Sequence, residues 1–355
     1  MTKRIIPLDG LRAICALGVI WIHLWAFYGT PKLQLANIDI YKAIAFLGNG
    51  VDFFFVISGF CMYLVFAGKK IDMSFIRSFA KKRALRILPA FFAAVLIYSL
   101  LENSNINLGN KINKILLNCL MLQNFFPSAE ISGPFWSIAT EWHFYFVIPF
   151  LYMNRKMGIV NITLILMSLS LIFYSLVNLG FLNFNFWEKQ IIVRFPEFGW
   201  GILAGYYFKN NFTLPKIFAG WIGILLGFII LYTGRVLMVT EVLNYFTNIA
   251  FILKTLSNTI MTLGFAILMF LIITQFSILS RFLSLKPIVF LGKISYSIYL
   301  WHSAAILFLD SFLRSINFGI FNPLIGFCFV LGPTLIFATI SYFSFESFYV
   351  KNSQQ

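Results

Sequence analysis

Acidic side chains are scarce in this chain: 12 Asp and Glu stand against 27 Lys and Arg among 355 residues, and charged residues make up only 11%. So little charge cannot coat a soluble globule, in which about a quarter of all residues are charged. Histidine is rarer still, with three residues, and the four cysteines, Cys15, Cys61, Cys119 and Cys328, show no metal-ligand spacing. A zinc site has no support in such a set, and no metal is expected. Low-complexity tracts and internal repeats are also missing. The first apolar stretch lacks a small-residue cleavage pattern, so it is expected to stay as a helix and not to be removed as a leader.

Apolar side chains are abundant: 60% of residues are hydrophobic and the mean hydropathy is +0.87. Nearly every segment is too apolar to be one face of a soluble fold, so an all-α, polytopic transmembrane bundle is expected. Spans of ~20 residues are expected near Leu8 to Tyr28, Ala43 to Ala67, Ile87 to Leu101, Phe135 to Met153, Ile159 to Leu182, Ile191 to Phe208, Ile217 to Tyr232, Thr255 to Gln275, Ile294 to Leu309 and Ile320 to Phe345, about ten in all. Ile115 to Phe126 is apolar but only half a span, and is expected to lie along the interface or to re-enter.

A net charge of +15 points to nucleic acid in a soluble chain, but in a membrane chain it is first tested against the tendency of cytoplasmic loops to collect Lys and Arg. With the N-terminus inside, 17 of the 27 bases fall in cytoplasmic segments and eight outside, with Arg12 and Arg194 within spans. Both termini are therefore expected in the cytoplasm, with lipids and not nucleic acid as the partner of the positive charge. Only ten residues follow Phe345, so a single membrane-embedded domain over 1–355 is expected, with no extramembrane domain at that end.

Chemistry must then come from polar residues inside the bundle or its loops. Arg12 and His23 are eleven residues apart in the first span. On a helix they share one face, roughly 16 Å apart along the axis, with Asp9 one turn before Arg12. Intramembrane ionisable groups are costly enough to mark a site or pathway, although Arg12 snorkelling to headgroups and His23 bonding a neighbouring helix is the plainer explanation.

Further clusters follow along the chain. Asp52 opens the run GVDFFFVISGF, where Ser58 and Gly59 are small enough for close helix contact; it either caps a helix or pairs with a base across the bundle. Arg83 and Arg86 share a helix face just before a span, offering fork-shaped donors to a phosphorylated ligand, though seven bases between Lys69 and Arg86 also fit positive-inside placement. Ser137, Glu141 and Tyr145 recur every four residues as one polar stripe, in which Glu141 needs a partner, a proton or a wet cavity. Arg194 and Glu197 flank a proline as a local ion pair, while Ser295, Tyr299 and His302 lie near one face and suit interhelical hydrogen bonding.

In order, LDGLRA with Arg12-x10-His23, GVDFFFVISGF, Arg83-x-x-Arg86-Ile-x-Pro89, FWSIATEWHFYFVIPFLY, Arg194-Phe-Pro-Glu-Phe and LGKISYSIYLWH resemble the acyltransferase-3 family of bacterial membrane acyltransferases, from about Leu8 to His302. The chain departs from the family pattern at His143, where the motif varies, and at Glu346-Ser-Phe, in place of a Glu-Arg-Pro-like ending. The resemblance implies an enzyme of the bacterial cytoplasmic (inner) membrane that moves an acyl group, usually acetyl, from cytoplasmic acyl-CoA to a hydroxyl of a polysaccharide, lipopolysaccharide or lipid-linked glycan. It implies that Arg12 and His23 are essential and that Glu141, Arg83 and Arg86 contribute. Relatives with a fused periplasmic esterase-like domain exist, and this chain is expected to be the standalone type.

Under that resemblance Arg83 and Arg86 hold the CoA phosphates, and the pantetheine arm reaches toward His23. A neutral imidazole can deprotonate the acceptor hydroxyl or serve as a nucleophile. Arg12 then positions the donor or stabilises developing negative charge, and Glu141 orients His23 or the acceptor. Two other readings remain open at this point: a transporter or flippase of lipid-linked sugars that makes no bond, and an acyltransferase acting on a small molecule.

Overall fold

A computed structural model describes residues 4–35, 38–101, 107–153, 157–213, 215, 218, 220–238, 249–275 and 277–348. Its principal helices are α1 (Ile6–Phe27), α2 (Gly50–Phe66), α3 (Met73–Leu101), α4 (Leu108–Cys119), α5 (Phe135–Met153), α6 (Ile159–Asn178), α7 (Ile191–Lys209), α8 (Trp221–Leu237), α9 (Ala250–Thr274), α10 (Ser295–Phe308) and α11 (Asn322–Ser341). Short helical turns fill many connections, and Gln34–Leu35 pairs antiparallel with Ile38–Asp39.

A helix overlies each of the ten expected spans, and the protein is a multi-pass helical membrane protein. Among the described residues six helices are long and apolar enough to cross by length and composition: those at Ile6–Phe27, Ile40–Phe66, Met73–Leu101, Ile159–Asn178, Ala250–Thr274 and Gly319–Glu346. Of the other helices that sequence reading makes spans, α8 and α10 are shorter, with 17 and 14 residues, and α5 and α7 are more polar, carrying Glu141 and the pair Arg194 and Glu197. The expected limit at Ile217 and the bases Lys3, Arg155, Lys156, Lys216 and Lys351 lie outside the described residues.

Two boundaries differ from expectation for local reasons. The helix expected from Ile87 starts at Met73, because Asp72 Oδ1 accepts from Phe75 N at 2.8 Å and caps it. The basic run thus rides on the first turns of α3. The half-span at Ile115 to Phe126 is displaced toward the N-terminus. Asn107 starts α4 by accepting from Gly109 N at 2.9 Å, and Met121, at φ 59°, ends it in the left-handed region. With 12 residues α4 is about 18 Å long and cannot span. Leu108, Ile112 and Leu116 are exposed at every fourth position while Asn118 is buried, as in a helix lying along an interface.

The described helices fall into two compact units interleaved in sequence. The first comprises Met1–Leu11, Asp52–Ile76 and Thr140–Val289. Close helix approach holds it together. A Cβ at Gly59 would meet Phe198 O at 2.1 Å and one at Gly201 would meet Val56 O at 2.0 Å, so α2 and α7 touch backbone to backbone, in line with the small residues noted at Ser58 and Gly59. Phe198 also stacks on Phe55 and Phe144, with ring centroids 4.6 and 4.0 Å away.

The second unit comprises Arg12–Val51, Arg77–Ala139 and Phe290–Gln355. Tyrosine hydroxyls reaching backbone groups bind it together. Tyr98 donates to Leu300 O at 3.0 Å and accepts from Ala304 N at 2.7 Å, joining α3 to α10. Tyr28, just beyond α1, donates to Leu313 O at 2.9 Å.

Candidate functional site

In the second unit the residues of interest meet around two imidazoles that the sequence separates by 279 positions. His23 sits near the C-terminal end of α1, on the same helix as Arg12, as the spacing requires. Its Nδ1 lies 3.0 Å from Val19 O and 3.1 Å from His302 Nε2. The ring centroids are 4.9 Å apart with planes inclined by 29°, an offset stacked arrangement. His302 is fully buried at 0% exposure, whereas His23 is exposed. The Nδ1 edge is thus held by protein atoms, while the residue as a whole is exposed.

A chain of contacts fixes His302. Its Nδ1 lies 2.6 Å from Tyr299 O, and Ser303 Oγ lies 3.2 Å from its Nε2. The Tyr299 hydroxyl donates to Pro134 O at 2.7 Å and lies 2.6 Å from Ser137 Oγ, which ties α10 to the start of α5. Ser137, Tyr299 and His302, three of the sequence candidates, thus form one support behind His23.

The two arginines of the RxxR motif lie on α3 in this unit. Arg83 is half-buried with its guanidinium 5.7 Å from the Phe79 ring, and Arg86 is exposed. Buried Glu346, which sequence reading noted only as a departure, accepts from Ser297 Oγ and feels the positive charge of Arg86. Ser297 Oγ also lies 2.9 Å from Ser341 Oγ. The carboxylate is aimed by a π-turn over Tyr342–Glu346, a feature often found at functional positions. Neither the turn nor the partner leaves a periodic mark in the sequence.

The remaining candidates gather in the first unit, around a guanidinium. Arg194 Nη1 lies 3.0 Å from Asp52 Oδ1 and 3.3 Å from Glu197 Oε1, and its Nε donates to Glu188 O at 2.5 Å. Asp52 is therefore an ion-pair partner across helices, and the local pair Arg194 and Glu197 is present as expected. Asn258, which sequence reading missed, donates to Glu197 Oε1 at 2.6 Å. A cavity of about 10 Å³ lies beside this network, lined by Tyr174, Glu188, Arg194, Glu197, Thr255 and Asn258 among others. It has room for about one water, which the buried Glu197 Oε2 and Asn258 Oδ1 would engage.

Glu141 and Tyr145 belong to this unit too. The Tyr145 hydroxyl donates to Glu141 Oε1 and lies 3.1 Å from Ser58 Oγ. Glu141 thus has the partner its stripe demanded. The stripe divides its partners: Ser137 is engaged with Tyr299, and Tyr145 with Glu141 and Ser58. Asp9 pairs with Arg4, at 2.7 Å to Nη2, a partner not foreseen from its spacing to Arg12.

Comparison with known proteins adds an independent line. The acyltransferase domain family matches residues 5–343. A protein of Staphylococcus aureus (strain COL) with a provisional O-acetyltransferase name is 28% identical over 382 residues, covering 96% of this chain and 56% of that one. The O-acetyltransferase OatA of Staphylococcus aureus (strain NCTC 8325) is 26% identical over 354 residues, covering 88% and 52%. The chain spans about half the length of these relatives. No solved structure matches it. With nearly its full length matched, the chain belongs to the acyltransferase-3 family of membrane acyltransferases.

Proposed function

We propose that the protein is a membrane O-acyltransferase that moves an acyl group, most simply acetyl, from acyl-CoA to a hydroxyl of a surface polysaccharide, lipopolysaccharide or lipid-linked glycan. The observation that carries this reading is the state of His23: an exposed imidazole whose Nδ1 edge is held by Val19 O and His302. A ring held in that way is oriented and still reachable, the two properties a general base needs.

In the step envisaged, a ring nitrogen of His23 takes the proton from the acceptor hydroxyl as its oxygen attacks the thioester carbonyl. The ester bond forms, the carbon–sulfur bond breaks, and the proton passes from the imidazolium to the departing CoA thiolate. Arg83 and Arg86 hold the CoA phosphates, a role that suits guanidiniums on adjacent turns of one helix. Arg12, on the helix that bears His23, balances the negative charge that develops on the carbonyl oxygen. Asp52, Arg194 and Glu197 brace the helices of their own unit, and Tyr145 holds the Glu141 carboxylate.

The surplus of bases in segments assigned to the cytoplasm supports placing both termini there, in a bacterial cytoplasmic membrane, so that the donor is met from the side where acyl-CoA is made. The test is purified protein with labelled acetyl-CoA and a glycan acceptor. Label is expected to appear in the glycan; label remaining on CoA, with glycan moved across a vesicle membrane, would point to a carrier.

A further inference from the structure

The hydrogen-bond pattern behind His23 specifies which of its nitrogens can react. His302 Nδ1 faces Tyr299 O at 2.6 Å. A carbonyl oxygen only accepts, so this nitrogen carries the proton, and Nε2 of the neutral ring presents a lone pair. That lone pair faces His23 Nδ1 at 3.1 Å, with the Ser303 hydroxyl a second neighbour at 3.2 Å. The other neighbour of His23 Nδ1 is Val19 O at 3.0 Å, again an acceptor. Whichever of the two it bonds, His23 Nδ1 bears the hydrogen. Its Nε2 is left as the nitrogen with a free lone pair, on a residue that is exposed.

We propose that His302 is a positioning residue for acyl transfer: it holds His23 in the Nδ1–H form, directs Nε2 at the acceptor hydroxyl, and shares the positive charge when His23 takes the proton. This inference rests on the reading of His23 as the base. As His23 becomes imidazolium, the contact to His302 Nε2 turns from a neutral into a charge-assisted hydrogen bond, which is stronger in the transition state than before it. The effect belongs to kcat, because His302 is fully buried and is placed to reach neither substrate.

The full-length protein carrying His302→Leu, His302→Gln or His302→Asn is compared with the parent and with His23→Ala for kcat, for KM toward acetyl-CoA and for thermal unfolding midpoint. His302→Leu, which has no acceptor, is expected to lower kcat about 100-fold with KM little changed. His302→Gln, whose amide oxygen reaches the place of Nε2, is expected to recover at least tenfold over His302→Asn, whose amide falls one carbon short. If His302→Leu does not fold, the Gln and Asn pair still decides. Undiminished kcat in His302→Leu, or equal activity of Gln and Asn, would overturn the inference. Should His23→Ala be inactive while His302→Leu is fully active, the role of His302 fails and that of His23 stands; an active His23→Ala would remove both.

Discussion

The cluster around Arg194 in the first unit and the cluster around His302 in the second bury polar groups by opposite means. In the first, Arg194 lies between Asp52 and Glu197, so formal charges are taken out of water and held by one another. In the second, around His302, the buried groups are neutral hydrogen-bonding ones, Tyr299, Ser137 and the His302 imidazole, ending on the exposed His23 ring. A buried ion network resists rearrangement because each charge depends on its partners. A neutral relay can gain and lose a proton without breaking its contacts. The first kind of site suits bracing, the second suits proton transfer.

This contrast can be broken most forcefully at Arg194. Arg194→Ala leaves two carboxylates facing each other and is expected to cost about 3–5 kcal/mol, read as a collapse of folded yield and unfolding midpoint. If the triple variant Asp52→Asn, Arg194→Met, Glu197→Gln restores the folded yield but not activity, the network does more than brace. A steric challenge comes next. Gly59→Ala would set a Cβ 2.1 Å from Phe198 O and should lower stability by about 1–3 kcal/mol through separation of α2 and α7.

In the second unit the expected losses are of function and not of fold. The double change Arg83→Ala, Arg86→Ala should raise KM for acetyl-CoA at least about tenfold, the worth of one charge-assisted contact, with the protein still folded. An unaltered KM would refute the phosphate role. The smallest effect is expected from Tyr299→Phe, which removes the hydroxyl contacts to Pro134 O and Ser137 Oγ while leaving the backbone oxygen that faces His302, and should lower kcat about fivefold. If it lowered stability as much as Arg194→Ala, the distinction between the units would lose its meaning.

The helices were legible in the sequence because each is an apolar run bounded by polar or charged segments. Where reading failed, as at the start of α3 and the limits of α4, one Asp or Asn cap decided the boundary. The candidate residues were visible in the sequence one by one, but their pairings were not. Arg12, His23, Arg83 and Arg86 stand out because ionisable groups are rare in apolar runs. Asp52 and Arg194, however, are 142 residues apart, and His23 and His302 are 279 apart. Helical periodicity relates residues a few turns apart and carries no information over such separations. Asn258 was missed, and Glu346 noted only as a departure, for a related reason: their partners lie on other helices, with no local repeat to mark them.

The most direct measurement is the turnover of acetyl-CoA into acetylated glycan by the parent protein and by His23→Ala, each checked for monodispersity and unfolding midpoint. The expected result is a fall in kcat of about 100-fold or more in a variant that unfolds where the parent does. A folded His23→Ala that acetylates as fast as the parent would contradict the assignment of the reacting base.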